Sequence, residues 1–208
     1  MPESLVLMHL MAAKLCHDLA TPLGALGLGL EMALEGVDEK TIDKDTQELL
    51  LNSSNTAKLR LKSYRALLSI GAESPTFQDT QEALNLMCHE QKVRLNWHIN
   101  SSLIPNGLFC RILLGLGYIT TESLIRGGII SLHLKPVAED NINIAIIAEG
   151  PMVQLRPGYM ETLTTDQPLL HQTSRTVLPF YVKLLTNQYH KNITCHVSDR
   201  NRMELSAS

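Results

Sequence analysis

The first third of the chain carries a seven-residue rhythm. Met8, Ala12, Leu15, Leu19, Pro22, Leu26, Gly29 and Ala33 recur at alternating spacings of four and three, the repeat that keeps one stripe of a helix turned towards a neighbour in a bundle. It predicts one helix over residues 4–35, with Gly36 just past its C-terminus. A polar connection follows, from Asp38 to Asp43, in which Thr41 or Asp43 can cap what comes next. The rhythm then returns: Leu50, Ser54, Ala57, Leu61, Tyr64 and Leu68 predict a second helix over 44–71. Together the two make a helical hairpin. Cys16, Leu23 and Leu30 widen the apolar stripe of the first helix beyond what one partner covers. Two hairpins joined as a four-helix bundle, and therefore a homodimer, are expected.

The run Gly71-Ala72-Glu73-Ser74-Pro75 punctuates the chain, and beyond it the period changes. Helices are predicted over 79–91, over 105–125 with Pro105 in the first turn, and over 174–189. Strands are predicted over 93–100, 129–134, 142–148, 193–197 and 203–207, with Arg126-Gly127-Gly128 as a turn. This order fits helices on one face of a largely antiparallel sheet. The fold class is therefore α+β, with a hairpin domain over 1–72 and an α/β domain over 73–208.

Composition narrows the function. The 208 residues are 44% hydrophobic, enough for ordinary cores, and 19% charged with a net charge of −3. Only 4% are aromatic, with Trp97 the one tryptophan. Neither a basic surface nor a base-stacking platform is suggested, so nucleic acid and anionic membrane are not expected partners. No run reaches the roughly 18 apolar residues of a membrane span, and residues 1–13 lack the basic start of a secretory leader. Cys16, Cys88, Cys110 and Cys195 are far apart, which suggests neither a zinc site nor a disulfide framework. A reduced, cytoplasmic protein without a metal or cofactor of its own is expected.

The candidate chemistry lies on the first helix, in Cys16-His17-Asp18-Leu19-Ala20-Thr21-Pro22. At about 100° per residue, His17 falls nearly opposite Leu15, Leu19, Pro22 and Leu26. Ala13, Thr21 and Gly24 share its side, with Lys14 at the margin, so a partner could approach closely. An exposed helical histidine is ordinarily just a solvated side chain. Here, however, a proline stands five residues later at a mid-helix cost of roughly 3 kcal/mol, which calls for a reason. Imidazole suits phosphoryl carriage, because a pKa of about 6.5 leaves a neutral nucleophilic nitrogen. Asp18 can orient the ring or accept its proton, and Thr21 can position a water or the phosphoryl group.

The box from Cys16 to Ala25 resembles the phosphoacceptor box of dimeric histidine kinases, and more closely that of the ChpT-type histidine phosphotransferases of alphaproteobacteria. The segment Leu59-Arg60-Leu61-Lys62-Ser63-Tyr64-Arg65 resembles that family's second bundle helix. The resemblance implies that the second domain is like a kinase ATPase (Bergerat-like) domain. Yet the kinase asparagine positions are held here by Gly115 and Ile119. Ala148 and Met152 stand where the adenine-reading Asp and a glycine of the next box belong, and residues 169–174 contain no glycine. Asparagine ligates Mg²⁺ and glycine lets backbone amides close on phosphates, so the domain is expected to be degenerate.

The resemblance therefore implies a histidine phosphotransferase and not an ATP-dependent kinase. His17 would accept phosphoryl from the receiver domain of a hybrid histidine kinase and pass it to response regulators, with Mg²⁺ and charge stabilisation supplied by the receiver. Lys14, Ala13, Gly24, Arg60 and Arg65 are candidates for the receiver-docking face, with Lys58 and Lys62 as further steering charges. Arg156 and Arg175 could reach the receiver from the second domain. Two alternatives stand beside this expectation: a true histidine kinase, and a module that binds response regulators without carrying phosphate.

Overall fold

The computed structural model describes residues 2–35, 42–99, 105–138 and 141–208. The stop at Gly36, the Thr41 cap and most of the polar connection lie outside these residues, as does Asn100. Helix α1 spans Glu3–Glu35 and α2 spans Lys44–Leu68. Asp43 caps α2, accepting from the Thr46 amide at 2.9 Å. α3 (Phe77–Glu90) begins in a reciprocal capping box between Thr76 and Asp79, which satisfies two otherwise orphaned donors. β1 (Val93–Ile99) leads to α4 (Gly107–Ser123), and Asn106 caps α4 by accepting from the Phe109 amide. Pro105 consequently lies outside the first turn where the sequence predicted it. Next come β2 (Gly128–Ala138), β3 (Asn141–Glu149), α5 (Tyr159–Thr164), α6 (Val177–Gln188), β4 (Ile193–Ser198) and β5 (Arg202–Ala207).

The five strands form one sheet in the order β1-β2-β3-β5-β4. β1 and β2 run parallel, and every other pair is antiparallel. Burial alternates with period two: Ile130, Leu132 and Leu134 of β2, Ile142, Ile144, Ile146 and Ala148 of β3, and Met203, Leu205 and Ala207 of β5 all face the core. The turn into β2 needs glycine. Gly127 and Gly128 have φ of +72° and +149°, and any side chain there would meet the backbone of Lys92 or Glu149.

α4 is buried almost all round, from Phe109 to Ser123, the mark of a helix enclosed by other elements. Gly115 lets Val182 of α6 approach on one side, and Gly117 lets Leu84 of α3 approach on the other. The hairpin joins this core. Leu59 and Leu67 of α2 belong to the same cluster as α4. Met11 of α1 and Tyr64 of α2 pack with Val177 at the start of α6.

This docking revises the predicted seams. α2 lies between α1 and the second half of the chain, so Leu59, Ser63 and Leu67 are buried while Leu61 is exposed. On α1 the buried line around His17 is Met11, Lys14, Asp18 and Pro22, whereas Met8, Leu23, Leu30 and Leu34 remain exposed. Helix α5 and the 3₁₀ turns at Gly71–Glu73 and Leu169–His171 were not legible beforehand, being too short to show a period.

Candidate functional site

His17 projects from the middle of α1 with 74% of its side chain exposed. Ala13, Thr21 and Gly24 are exposed with it, and open space surrounds Gly24. Its neighbour is the opposite. Asp18 is only 4% exposed, and its carboxylate collects donors from three helices. Oδ2 accepts from Lys14 Nζ at 2.5 Å, from Tyr64 Oη of α2 at 2.6 Å and from Tyr118 Oη of α4 at 3.4 Å. The other oxygen, Oδ1, lies 3.3 Å from His17 Nδ1.

Electrostatics follow from this geometry. Burial alone would raise the Asp18 pKa, but the hydrogen bonds from Lys14 and Tyr64 and the charge of Lys14 outweigh it, leaving the carboxyl below its ordinary range. Asp18 is therefore an anion at neutral pH. Burial chiefly pushes the Tyr64 phenol far above its usual range, so it stays protonated and donates. The two tyrosine rings pack against each other at 6.2 Å, tilted by 56°. Saturation of Oδ2 leaves Oδ1 as the oxygen open to the imidazole.

Pro22 adds a second feature. An α-helical carbonyl pairs with the N–H four residues on, and for Asp18 that residue is Pro22, which has none. A buried carbonyl without a donor costs about 1–3 kcal/mol. Arg60 Nη1 of α2 donates to the Asp18 carbonyl oxygen, and α1 continues unbroken through Pro22.

Further charges lie behind. Glu122 of α4 pairs with Arg156 at 2.7 Å, and burial raises the Glu122 pKa against the opposing charge of Arg156. An open cleft of roughly 630 Å³ runs between α2 and the α3–β1 turn, with Asn52, Thr56, Arg60, Lys92 and Glu122 among its walls.

Several expected docking residues are placed differently from the prediction. Lys14, expected at the edge of the open face, is 2% exposed and paired with Asp18. Lys14 and Asp18 are four apart on one helix, a pairing that spacing alone permits, but their burial is visible only once α2 and α4 close over them. Arg60 is half-buried and bonded to α1. Arg65, Lys58 and Arg175 are exposed, Lys62 faces Glu82 at 3.4 Å, and Arg156 is held by Glu122. Tyr64 and Tyr118 were not foreseen in the site. Their only advance signal was a hydroxyl on an apolar stripe, which must find a partner when buried.

The positions compared with kinase nucleotide boxes are also accounted for. Gly115 packs against Val182 of α6 and Leu67 of α2, Ile119 is buried in the core, Ala148 is fully buried on β3, and residues 169–171 form a 3₁₀ turn beside α1.

Residues 77–201, more than half of the chain, match the family model described as the histidine phosphotransferase C-terminal domain. The chain belongs to that family. It is similar to the protein phosphotransferase ChpT of Brucella abortus (strain 2308), with 25% identity over 192 residues, covering 91% of this chain and 89% of the relative. Among solved structures it is similar to a bacterial phosphotransferase, with a TM-score of 0.84 and 23% identity over 98% of this chain and 96% of the other. It also shares a fold with the Acinetobacter baumannii histidine kinase AdeS, at a TM-score of 0.51 and 16% identity over 92% and 97% of the two chains. The ChpT-type resemblance carried by the His17 box and the α+β, histidine-kinase-like architecture both hold. The family match starts at Phe77, after the hairpin, so the role of His17 rests on its own geometry.

Proposed function

We propose that the protein is a phosphorelay histidine phosphotransferase that carries a phosphoryl group on His17 between receiver-domain aspartates. The observation that carries this reading is the contrast between a 74% exposed imidazole and the buried carboxylate beside it, whose only oxygen without a donor from Lys14, Tyr64 or Tyr118 faces Nδ1. With the proton on Nδ1 donated to Asp18 Oδ1, Nε2 keeps its lone pair and points outward. Nε2 attacks the phosphorus of a receiver's aspartyl phosphate. The N–P bond forms, the acyl P–O bond breaks and the receiver recovers its carboxylate. Asp18 stabilises the positive imidazolium that results. The second receiver's carboxylate then attacks the same phosphorus, the new acyl P–O bond forms as the N–P bond breaks, and His17 leaves as neutral imidazole.

This chemistry is mainly positioning and charge stabilisation. Mg²⁺ is assigned to the partner receiver, and Thr21, exposed one turn on, orients the phosphoryl group or a water. The donor is a hybrid kinase's receiver and the acceptors are response regulators, in the cytoplasm. Among the described residues no helix is long and apolar enough to cross a membrane. Phosphoryl comes from receivers and not from ATP, a reading supported by Gly115, Ile119 and Ala148, which are packed inward at positions where a kinase needs polar ligands. A homodimer is supported by the exposed leucines of α1, Leu23, Leu30 and Leu34, which a second hairpin would cover.

The test is transfer from a phosphorylated receiver. Label should appear on the wild-type chain and not on His17→Ala. Equal label on both proteins, or none on the wild type, would sink the carrier reading, and micromolar binding of a fluorescent ATP analogue would restore the kinase.

A further inference from the structure

Within the proposed carrier role, we propose that Arg60 is a positioning residue for His17, and that Pro22 exists to create its anchoring point. Two observations fit together here. Pro22 removes the one amide that an unbroken helix would offer the Asp18 carbonyl. Arg60, 42 positions away, supplies a guanidinium donor to that same carbonyl. Asp18 is buried, so bulk water is a poor substitute, and a gap left open would let the helix bend or fray at the residue next to His17.

The peptide after His17 is thus gripped twice. Lys14 and Tyr64 hold the Asp18 side chain, and Arg60 holds its backbone. The imidazole hangs from a segment whose backbone and neighbouring carboxylate are both fixed, which is what aligned displacement at phosphorus requires. A proline is useful here because it lets α2, and through α2 the core it shares with α4, set the orientation of α1 at the reactive residue.

This assignment differs from a steering role. A guanidinium has a fixed fork of donors. One Arg60 donor is committed to α1, and the side chain is half-buried on the wall of the cleft that also contains Glu90 and Glu122. Its charge is directed inward, so its removal should affect the rate of the bound complex more than the encounter with a receiver.

A double-mutant cycle tests the idea. Arg60→Met removes the donor, and Pro22→Ala returns the helix's own amide to the Asp18 carbonyl. Single-turnover transfer from a phosphorylated receiver is measured across receiver concentrations. Arg60→Met should lower the saturated rate by roughly 10- to 100-fold and leave the half-saturating concentration within about twofold. In the double variant the restored backbone amide fills the gap, and the saturated rate should return to that of Pro22→Ala alone. A rise in half-saturating concentration at unchanged saturated rate would make Arg60 a docking charge and overturn the proposal. So would a double variant no faster than Arg60→Met. Thermal melting of the same four proteins separates this from the carrier reading. If the wild type takes up no label, the carrier reading falls, while coupling between positions 22 and 60 in the melting midpoint still decides whether Arg60 fills the proline gap. Additive midpoints would refute that.

Discussion

Replacing Tyr64 with phenylalanine isolates the most informative contact of the site. The ring keeps its place against Tyr118 and loses one oxygen, the donor 2.6 Å from Asp18 Oδ2. Both partners are buried, at 2% and 4% exposure, so the bond is made to an anion where water cannot replace the donor. Hydrogen bonds to charged groups contribute about 1.5–3 kcal/mol. Phenylalanine brings no new unpaired group, and Lys14 and Tyr118 remain on the carboxylate, so about 2 kcal/mol is expected at pH 7. For a chain of this size that is a fall of about 4–8 °C in melting midpoint. The sign of the pH dependence follows from Asp18, whose folded pKa lies below its ordinary value of 3.8. Such a group stabilises the fold above the unfolded pKa, and that contribution is lost as pH falls through the folded value. The gap between wild type and Tyr64→Phe should therefore be full at neutral pH and narrow as pH falls below about 4 and the carboxylate that the phenol serves takes up its proton. Denaturant melts from neutral pH down to about pH 3 measure it, and an NMR titration of the Asp18 carboxyl should show its pKa moving up in the variant. A gap that stays constant across that range, or an unmoved Asp18 titration, would refute the reasoning and leave Tyr64 as packing alone.

Two further outcomes follow from the packing. Gly115→Asn with Ile119→Asn restores the residue type of a kinase box but drives a side chain into Val182. It should cost at least the roughly 1–3 kcal/mol typical of overpacking and create no nucleotide site, and micromolar binding of a fluorescent ATP analogue by this variant would contradict that. Leu23→Glu with Leu30→Glu places charges on the exposed apolar side of α1. Sedimentation at micromolar concentration should show a dimer for the wild type and a monomer for the variant, and a monomeric wild type would end the bundle hypothesis.

The sequence by itself determined what short-range pattern can determine. A seven-residue repeat names a long helix, alternation names half-buried strands, and the run around His17 resembles a phosphoacceptor box, because each depends on residues within a few turns of one another. The expectation that the second half is degenerate also came from sequence, since Gly115, Ile119 and Ala148 are identities and need no coordinates. Tertiary structure decided what those identities do. The same sequence pattern that put Lys14 at the margin of an open face could not anticipate that Tyr64 and Tyr118, 46 and 100 positions beyond Asp18, would close over the carboxylate and bury the lysine with it. Pro22 was legible as a cost without a reason, and the reason is a guanidinium 42 positions from Asp18. Periodicity reports which side of a helix is apolar, not which of several neighbours will cover it. Burial sets the strength of a hydrogen bond and the charge of a carboxylate, and for Asp18 burial came only when α1, α2 and α4 met.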